Sequence, residues 1–393
     1  MPISAQMREA IEKSSWIRKM FEEGARLKGL HGADKVFDFS LGNPYPPPPE
    51  AFHQALTKEV AAETGGVHGY MPNNGFPAVR QSVADYISGQ YGVKFTGDHI
   101  IMTCGAAGAL NVVLKSILNP GDEIIAPRPY FVEYDAYVGN HNGKIVQVPT
   151  HEDFSLDTNA IAQAVTPKTA AVLINSPNNP TGAVYSMQNL VDLGRALEIK
   201  SREIGRAILL ISDEPYRKIL YDGLDAPSLF IAYRNSVVVT SYSKDLSLPG
   251  ERIGYLALHP EADDVKAMLG AMTLANRILG FVNAPAMMQR VVARLQGVSV
   301  EVDIYRRKRD LLCDGLKDAG YQFIKPAGAF YLFPKSPIDN DINFVAELQK
   351  ELILTVPGSG FMGPGYFRIA YCVDDSTITN ALPGFKKVMD KYR

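Results

Sequence analysis

A lysine with two nearby serines and an arginine is the most reactive grouping in the sequence. The segment Ser241-Tyr242-Ser243-Lys244 follows an apolar run, and Arg252 comes shortly after it. An ordinary lysine has a pKa near 10.4, so only about one molecule in 2,500 carries the nucleophilic neutral amine at pH 7. A reactive lysine therefore has to be desolvated or placed beside another cation. Arg252 would lower the pKa of Lys244 and, with Ser241 and Ser243, bind a phosphate. A lysine taken alone is more often a surface residue.

Three further segments place small or polar residues directly after apolar runs. Residues 103–110 (TCGAAGAL) lead into a helical pattern, where free backbone N–H groups and the helix dipole would hold a phosphate. Residues 175–182 (NSPNNPTG) contain two prolines, which predict a rigid loop that aims the Asn179 amide. Residues 213–216 (DEPY) begin with Asp213, whose carboxylate needs a cationic partner such as a protonated pyridine nitrogen. Taken singly, the three also fit a glycine turn, an Asn-Pro turn and a helix cap.

The elements that position these residues follow an alternating pattern. From about residue 99, short apolar runs alternate with longer helical patterns, which predicts strand–helix units and a mainly parallel sheet. Ligands of open α/β sheets bind beyond the carboxyl ends of the strands. The four polar segments each follow a different strand, so we expect them to converge on one sheet edge. The seven predicted strands are residues 100–102, 123–126, 144–148, 171–174, 207–211, 237–240 and 253–258.

A second, smaller domain is predicted around this α/β block. The 393 residues exceed the usual size of one domain. Beyond about residue 285 the pattern changes to long helices, the longest predicted over residues 289–319. Residues 37–50 are rich in proline and predict an extended crossing between domains, with a proline-rich ligand for another protein as the alternative. The predicted domains are residues 46–285 for the large one, and 1–45 with 286–393 for the small α+β one.

Composition and charge exclude several classes of protein. Hydrophobic residues make up 46% and charged residues 21%, which is typical of globular chains. The net charge is −2 and no block of five or more like charges occurs, so nucleic-acid binding is not expected. The sequence shows no signal-peptide pattern and no apolar run of about 18 residues. Three scattered cysteines and seven histidines without ligand spacing predict no disulfide framework and no metal. We therefore expect a soluble cytoplasmic protein that binds neither membranes nor nucleic acid.

At the polar segments the sequence resembles the class I and II aminotransferases, which bind pyridoxal 5′-phosphate (PLP) in fold type I. The most specific motifs are NSPNNPTG at 175–182, SDEPY at 212–216, and SYSK at 241–244 followed by ERIGY at 251–255. The resemblance covers nearly the whole chain. It implies an α/β large domain with a mainly parallel seven-stranded sheet flanked by helices, and a smaller α+β domain that closes over the active site. It also implies a ping-pong transfer of an amino group from an L-amino acid to a 2-oxo acid.

The resemblance implies a role for each matching residue. Lys244 is expected to form the internal aldimine with PLP and, once displaced by substrate, to carry a proton between the substrate Cα and the cofactor's C4′ carbon. Asp213 is expected to keep the pyridine nitrogen protonated, so that the ring acts as an electron sink. Tyr216 and Asn179 are expected to hydrogen-bond the 3′-oxygen, and Phe131 to stack on the ring, with a core phenylalanine as the alternative. The remaining cofactor contacts, mostly to the phosphate, are expected from Gly105, Ala106, Ala107, Ser241, Ser243 and Arg252.

The resemblance also implies substrate and subunit contacts. Arg368 matches the arginine that grips the substrate α-carboxylate, where a bidentate fork would fix the position of Cα. Gly42 and Asn179 are expected to contact the substrate as well. Because Gly42 and Arg368 lie in the predicted small domain, its closure would complete the site. Tyr70 matches a tyrosine that reaches the phosphate of the neighbouring subunit's cofactor, which implies a homodimer with shared sites. A core tyrosine is the alternative for Tyr70.

Two departures from the family bear on the substrate. Ala107 stands where several aspartate-using relatives carry a lysine near the substrate's distal carboxylate. Trp16, expected at the site entrance, stands where such relatives carry a small polar residue. Both departures favour a neutral or aromatic amino donor, with 2-oxoglutarate or pyruvate as acceptor. If the donor were acidic instead, Arg128 or Arg277 would supply a positive charge for its side chain.

Other functions stay open at this point. A PLP-dependent carbon–sulfur lyase is the nearest alternative, because the same cofactor constellation serves both reactions. A PLP-binding regulator is the alternative outside catalysis, and it would need an added DNA-binding unit. Residues 358–363 match GxGxxG, but a strand pattern follows them instead of a helix, which argues against a dinucleotide site.

Overall fold

Seven strands form the central sheet of the molecule, whose computed structural model describes residues 3–4, 7–8, 11, 16–62 and 66–393. The strands are β2 (Ile100–Thr103), β3 (Glu123–Arg128), β4 (Lys144–Pro149), β5 (Thr169–Asn175), β6 (Leu209–Asp213), β7 (Ser236–Ser241) and β8 (Gly254–Leu258). Their order is β2-β8-β7-β6-β5-β3-β4, and only β8 runs antiparallel to its neighbours. The predicted mainly parallel seven-stranded sheet is confirmed.

Helices cover both faces of this sheet, as crossovers between parallel strands require. Every residue of β5 is buried, so the strand packs on both sides. One apolar core joins the sheet to α4 (Gly105–Ile117), α5 (Glu133–Gly139) and α9 (Val265–Ile278). The core on the other face includes α2 (Glu50–Ala61), α3 (Pro77–Tyr91), α6 (Thr158–Ala164), α7 (Met187–Ile204), α8 (Leu229–Ala232) and α10 (Ala286–Ala293). The carboxyl ends of the strands are thereby left as the edge on which a site can form.

A third apolar core joins the two ends of the chain. It packs Met20 and Phe39 against residues between Val300 and Met389. The elements around it are α1 (Trp16–His31), β1 (Phe37–Asp38), α11 (Val302–Asp318), β9 (Tyr331–Leu332), α12 (Asp341–Lys350), β10 (Ile353–Leu354), β11 (Val356–Pro357), β12 (Phe367–Ala370) and α13 (Asp375–Met389). The strands form two small sheets, a parallel pair of β1 with β10 and an antiparallel group in the order β11-β12-β9. Among the described residues no helix is long and apolar enough to cross a membrane.

The long helix predicted over residues 289–319 is wrong. Two helices, α10 and α11, occupy this stretch, and residues 294–301 between them are not helical. Within this link Gly297 has a left-handed φ of +83°, a conformation that does not continue a helix. Helix α10 and Leu295 pack in the core of the large sheet. The predicted domain boundaries stay a prediction, and a boundary after Leu295 fits this packing better than one after residue 285. Within the predicted segment 1–45, residues 1–2, 5–6, 9–10 and 12–15 lie outside the described part of the chain.

Candidate active site

The four polar segments meet at a cavity of about 460 Å³ at the carboxyl edge of the sheet. Strands β6 and β7 end at it, and the first turn of α4 and the stretch between β1 and α2 form its other walls. The predicted site residues that line it are Gly42, Ala106, Ala107, Phe131, Asn179, Asp213, Tyr216, Ser241, Ser243, Lys244, Arg252 and Arg368. The structure therefore brings together residues that are up to 326 positions apart in the chain, from Gly42 to Arg368.

Lys244 follows β7 and extends its amine to the stretch between β1 and α2. Its Nζ donates a hydrogen bond to the main-chain oxygen of Gly42 at 2.8 Å. Burial lowers the pKa of Lys244 to about 8, and the guanidinium groups of Arg368 and Arg252 lower this pKa as well. With that pKa about a tenth of the molecules carry the neutral amine at pH 7, compared with about one in 2,500 for an ordinary lysine. The desolvation that a nucleophilic lysine requires is present.

Asp213 ends β6 with one carboxylate oxygen unpaired. The Tyr134 hydroxyl donates to its Oδ2 at 2.6 Å, and the Asn175 amide donates to its main-chain oxygen at 2.7 Å. Its Oδ1 is buried without a hydrogen-bond partner, and burial raises the pKa of Asp213 to about 7. An unmet buried acceptor costs about 1–3 kcal/mol. A protonated pyridine nitrogen would supply the missing donor, so this position fits PLP.

The loop at residues 175–182 links Asp213 to Arg368. Asn175 Oδ1 accepts the main-chain N–H of Asn179 at 2.7 Å, which fixes the loop on the end of β5. Asn179 Oδ1 in turn accepts a hydrogen bond from Arg368 Nη1 at 2.9 Å. The amide predicted to face the 3′-oxygen therefore also positions the arginine predicted to bind the substrate.

Arg368 is buried on β12 and keeps a free donor. Its Nη2 donates to the main-chain oxygen of Ser40 at 2.6 Å, and its Nε is buried without a partner. Its guanidinium lies 4.7 Å from the ring of Tyr331 and 4.6 Å from the ring of Phe361. Burial lowers the pKa of Arg368. A desolvated guanidinium between two rings with an unused N–H is suited to a planar carboxylate.

A cradle for a phosphate lies where α4 begins. Gly105 has a φ of +74°, and a Cβ at this position would lie 2.7 Å from Arg252 Nη2, so backbone and guanidinium approach each other as only glycine allows. Arg252 Nη1 donates to the main-chain oxygen of Pro249 at 2.8 Å. Ser241 and Ser243 line the same end of the cavity, where the Ser243 N–H is 3.4 Å from Ser241 Oγ. Helix N-terminal N–H groups, hydroxyls and a guanidinium together suit a phosphate.

Two tyrosines that the sequence prediction missed support the site. Tyr134, from α5, holds Asp213, and Tyr331, from β9, shares a hydrogen bond of 2.8 Å with the Tyr216 hydroxyl. Tyr134 stands three positions after Phe131, in an aromatic segment of which only Phe131 has a predicted role. Tyr331 lies in a short apolar strand, where the pattern indicates nothing beyond a core position. Neither carries a local signal that separates it from a core residue.

The remaining wall of the cavity is largely apolar. Leu41, Ala107, Leu110 and Phe131 contribute to it, together with Glu133 and Tyr137. The ring of Phe131 meets Tyr134 edge-on, with centroids 5.7 Å apart. Burial raises the pKa of Glu133, which is the one acid besides Asp213 on the wall formed by the described residues.

Trp16 and Tyr70 lie outside this cavity. Trp16 packs against Gly360, where an added Cβ would lie 3.0 Å from the Trp16 Cβ. Tyr70 is 94% exposed in the single chain. The substrate contact predicted for Trp16 and the subunit contact predicted for Tyr70 both stay predictions. Within the part of the chain that the structure describes, no cluster of three or more His, Cys, Asp or Glu is placed to hold a metal.

The fold and the site together define a PLP-binding enzyme of fold type I. The family model described as aminotransferase class I and II matches residues 34–385, so the chain belongs to this family. An aminotransferase from Eubacterium rectale is similar over the full length of both chains, with a TM-score of 0.97 and 38% identity. The aspartate/prephenate aminotransferase of Thermus thermophilus is 33% identical, over 92% of each chain. The aromatic-amino-acid aminotransferase 2 of Thermococcus litoralis is 31% identical, over 96% of each chain.

The protein is thus a PLP-dependent aminotransferase, whose substrates are amino acids and 2-oxo acids. A ping-pong reaction through a lysine-bound cofactor is general in this family.

Proposed function

We propose that this aminotransferase takes a neutral or aromatic L-amino acid as donor and 2-oxoglutarate or pyruvate as acceptor. The relatives above include an aspartate/prephenate and an aromatic-amino-acid enzyme, so the family allows both kinds of donor. The composition of the cavity wall favours the neutral kind. Lys244, Arg252 and Arg368 are the cations that line it among the described residues, and each has another role. Arg128 and Arg277 do not line it.

An acidic donor side chain would meet an unfavourable wall. Ala107 offers no charge, Leu41, Leu110 and Phe131 are apolar, and Glu133 would repel a second carboxylate. A buried carboxylate without a cationic partner is strongly disfavoured. An apolar or aromatic side chain would instead gain from burial against these residues.

The proposed roles in catalysis follow from the contacts of each residue. Bound PLP supplies an electron sink for the negative charge that develops at the substrate Cα. Asp213 Oδ1 would accept the N–H of the pyridine nitrogen, and Tyr216 and Asn179 would bind the 3′-oxygen. The backbone of residues 105–107, Ser241, Ser243 and Arg252 would hold the phosphate, and Phe131 would cover one face of the ring. Lys244 Nζ would take the proton from the substrate Cα and return it to the cofactor's C4′ carbon.

Arg368 is proposed to fix the orientation of the substrate. Two N–H donors along one edge of its guanidinium bind the α-carboxylate, which fixes Cα relative to the Lys244 amine. Gly42 lies on the same side and contributes backbone to the carboxylate site. Both residues belong to the predicted small domain, so its closure over the cavity brings the substrate contacts together and excludes water.

Comparison of donors tests the proposed specificity. We expect kcat/KM for phenylalanine, leucine or alanine to exceed that for aspartate, with 2-oxoglutarate as acceptor. A preference for aspartate over all three by about tenfold or more would refute the proposal. Titration of the visible spectrum with single amino acids gives an independent measure, because a true donor converts the bound cofactor to its amine form. Release of pyruvate and ammonia from cystathionine, without amino transfer, would indicate the lyase instead.

We further propose a homodimer in which Tyr70 reaches the partner subunit's phosphate site. The almost full exposure of Tyr70 in one chain is consistent with this contact. A mixture of Lys244→Ala and Tyr70→Phe subunits tests it, since their heterodimer contains one site with both native residues. Recovery of wild-type cofactor affinity in that heterodimer is expected. Affinity equal to that of the Tyr70→Phe homodimer would overturn the shared site.

A reducing compartment, the cytoplasm, is proposed from the cysteines. Cys104, Cys313 and Cys372 are all free, and the last two are buried. Free buried thiols are typical of reducing compartments. Cell fractionation with antibody detection is expected to recover the protein with soluble cytoplasmic markers, and recovery from a secreted or membrane fraction would contradict this.

A further inference from the structure

One side chain, Tyr331, contacts both halves of the proposed site. Its hydroxyl shares a 2.8 Å hydrogen bond with the Tyr216 hydroxyl, and the two rings meet edge-on at 5.6 Å. Its ring lies 4.7 Å from the Arg368 guanidinium. An added Cβ at Gly42 would collide with the Tyr331 hydroxyl, so that hydroxyl packs directly on the backbone that accepts the Lys244 amine. Tyr331 is thus positioned to affect the cofactor side and the substrate side together.

The direction of the hydrogen bond between the two tyrosines follows from the role proposed for Tyr216. A phenol has one O–H donor, so a Tyr216 hydroxyl that donates to the cofactor's 3′-oxygen can only accept from Tyr331. The two hydroxyl oxygens lie 2.8 Å apart, within hydrogen-bond distance. Burial raises the pKa of both phenols, which keeps both hydroxyl protons in place. Tyr331 is then the donor of the pair.

Donation by Tyr331 leaves the Tyr216 proton free for another acceptor. A phenol has one O–H donor and two acceptor lone pairs. When Tyr216 accepts from Tyr331, its own O–H can point into the cavity, and chains of hydrogen bonds polarise one another so that the terminal donor is strengthened. Without Tyr331, Tyr216 would lose the neighbour that fixes its orientation.

We propose that Tyr331 is a positioning residue, which donates to the Tyr216 hydroxyl, directs the Tyr216 proton at the cofactor's 3′-oxygen, and supports the Arg368 guanidinium with its ring. The proposal rests on the proposed roles of Tyr216 and Arg368. It adds that one side chain, Tyr331, supports both residues by two separable contacts. The hydroxyl acts on the cofactor, and the ring acts on the substrate carboxylate.

Tyr331→Phe and Tyr331→Leu separate these tasks in the holoenzyme. The phenylalanine variant removes only the hydroxyl, so the 3′-oxygen loses stabilisation and the pKa of the bound chromophore, read from its visible absorbance without substrate, is expected to rise by about one unit. Its kcat is expected to fall about tenfold, while KM for the donor stays within about twofold. The leucine variant also loses the ring beside Arg368 and is expected to raise KM by a further factor of about three to ten.

A double-mutant cycle shows whether Tyr331 acts through Tyr216. In a Tyr216→Phe background the change Tyr331→Phe is expected to add no further shift of the chromophore pKa. Tyr321→Phe is the matched control, because this buried tyrosine donates to the main-chain oxygen of Phe385 at 2.9 Å and does not line the cavity. It is expected to leave the titration unchanged.

Two results would overturn the inference. One is an unshifted titration in Tyr331→Phe, and the other is a shift that persists at full size when Tyr216 is already phenylalanine. These titrations use no substrate, so they are independent of the donor preference. If Tyr331→Phe shifts the chromophore titration as expected but the donor preference is refuted, the inference about Tyr331 stands. If the titration is unshifted but the donor preference holds, the proposed specificity stands.

Discussion

Two consecutive acidic residues at the end of β6, Asp213 and Glu214, differ in how fully their carboxylate oxygens are hydrogen-bonded. Glu214 is fully paired, since its oxygens accept from Ser212 Oγ at 2.8 Å, from the Tyr91 hydroxyl at 2.6 Å and from Arg217 Nη1 at 3.0 Å. Asp213, its neighbour, accepts one side-chain hydrogen bond, from Tyr134, and leaves Oδ1 unpaired. The paired carboxylate stabilises the fold, whereas the unpaired one is held ready for a ligand that can donate.

The same contrast holds for two lysines, Lys218 after β6 and Lys244 after β7. Lys218 faces a second cavity of about 400 Å³ and forms an ion pair of 2.9 Å with Asp245. Lys244, next to Asp245 in the chain, faces the first cavity and has a main-chain carbonyl as its partner. A carbonyl satisfies a donor without fixing its charge, which leaves the amine free to lose its proton. The reactive lysine and aspartate of this site are therefore the ones without a counter-ion.

Replacement of each lysine by alanine gives the largest expected difference. Lys244→Ala is expected to lower turnover by about 10⁴-fold or more with little change in stability, because it removes both the nucleophile and the proton carrier. Lys218→Ala is expected to keep kcat within about threefold but to lower the free energy of unfolding by about 3–5 kcal/mol, since it leaves Asp245 buried and unpaired. Steady-state kinetics and urea denaturation measure the two effects. Equal losses of turnover would contradict the contrast.

The two carboxyl groups are expected to differ in the same way but by less. Asp213→Asn cannot hold a positive pyridine nitrogen, so turnover is expected to fall about 10²–10³-fold. Glu214→Gln keeps its shape but loses the charge opposite Arg217, so it is expected to cost about 1–3 kcal/mol of stability with turnover near that of the wild type. If Glu214→Gln lost as much turnover as Asp213→Asn, the distinction between a structural Glu214 and a catalytic Asp213 would be wrong.

Arg368→Lys tests the planar fork with the charge retained. A lysine would keep one positive charge but lose the bidentate geometry and the stacking between two rings. We expect KM for the amino donor to rise about 10- to 100-fold, with a smaller change in the affinity for PLP. Arg206→Lys is a suitable control, because Arg206 also pairs bidentately, with Asp122. This pair lies before the amino ends of β6 and β3 and does not line the cavity. A KM near that of the wild type would show that Arg368 does not bind the carboxylate.

The smallest expected effect is in the pH dependence of cofactor attachment. The pKa of Lys244 is lowered to about 8, so the neutral fraction of its amine grows as pH rises and levels off above that value. The rate of PLP attachment to cofactor-free protein is expected to increase about tenfold between about pH 7 and pH 9 and then to level off. A model peptide lysine would gain about 100-fold over the same range. Stopped-flow absorbance measures both, and a continued steep rise above pH 9 would show that the amine is not desolvated.

The polar site residues that follow a strand could be predicted from the sequence. The side chains that hold them in place could not. The sheet, and the convergence of the segments that contain Lys244, Asp213 and Asn179, follow from the alternating pattern and from where each polar segment stands. Tyr134 could not be predicted, because its partner Asp213 is 79 positions away and the pairing depends on how α5 packs on the sheet. The helix break over residues 294–301 could not be predicted, because apolar residues continue across it. Periodicity shows which face of an element is buried, but not which distant side chain meets it.

The stretch from Ser40 to Gly42 contacts both Arg368 and Lys244 through its main-chain carbonyls. The carbonyl of Ser40 accepts from Arg368, and the carbonyl of Gly42 accepts from Lys244. These residues lie only two positions apart on one irregular strand of chain, so they cannot shift independently. Any displacement of this stretch therefore reaches the arginine and the lysine at the same moment. A carboxylate that binds to or leaves Arg368 would therefore also change the surroundings of the Lys244 amine through this shared stretch of backbone.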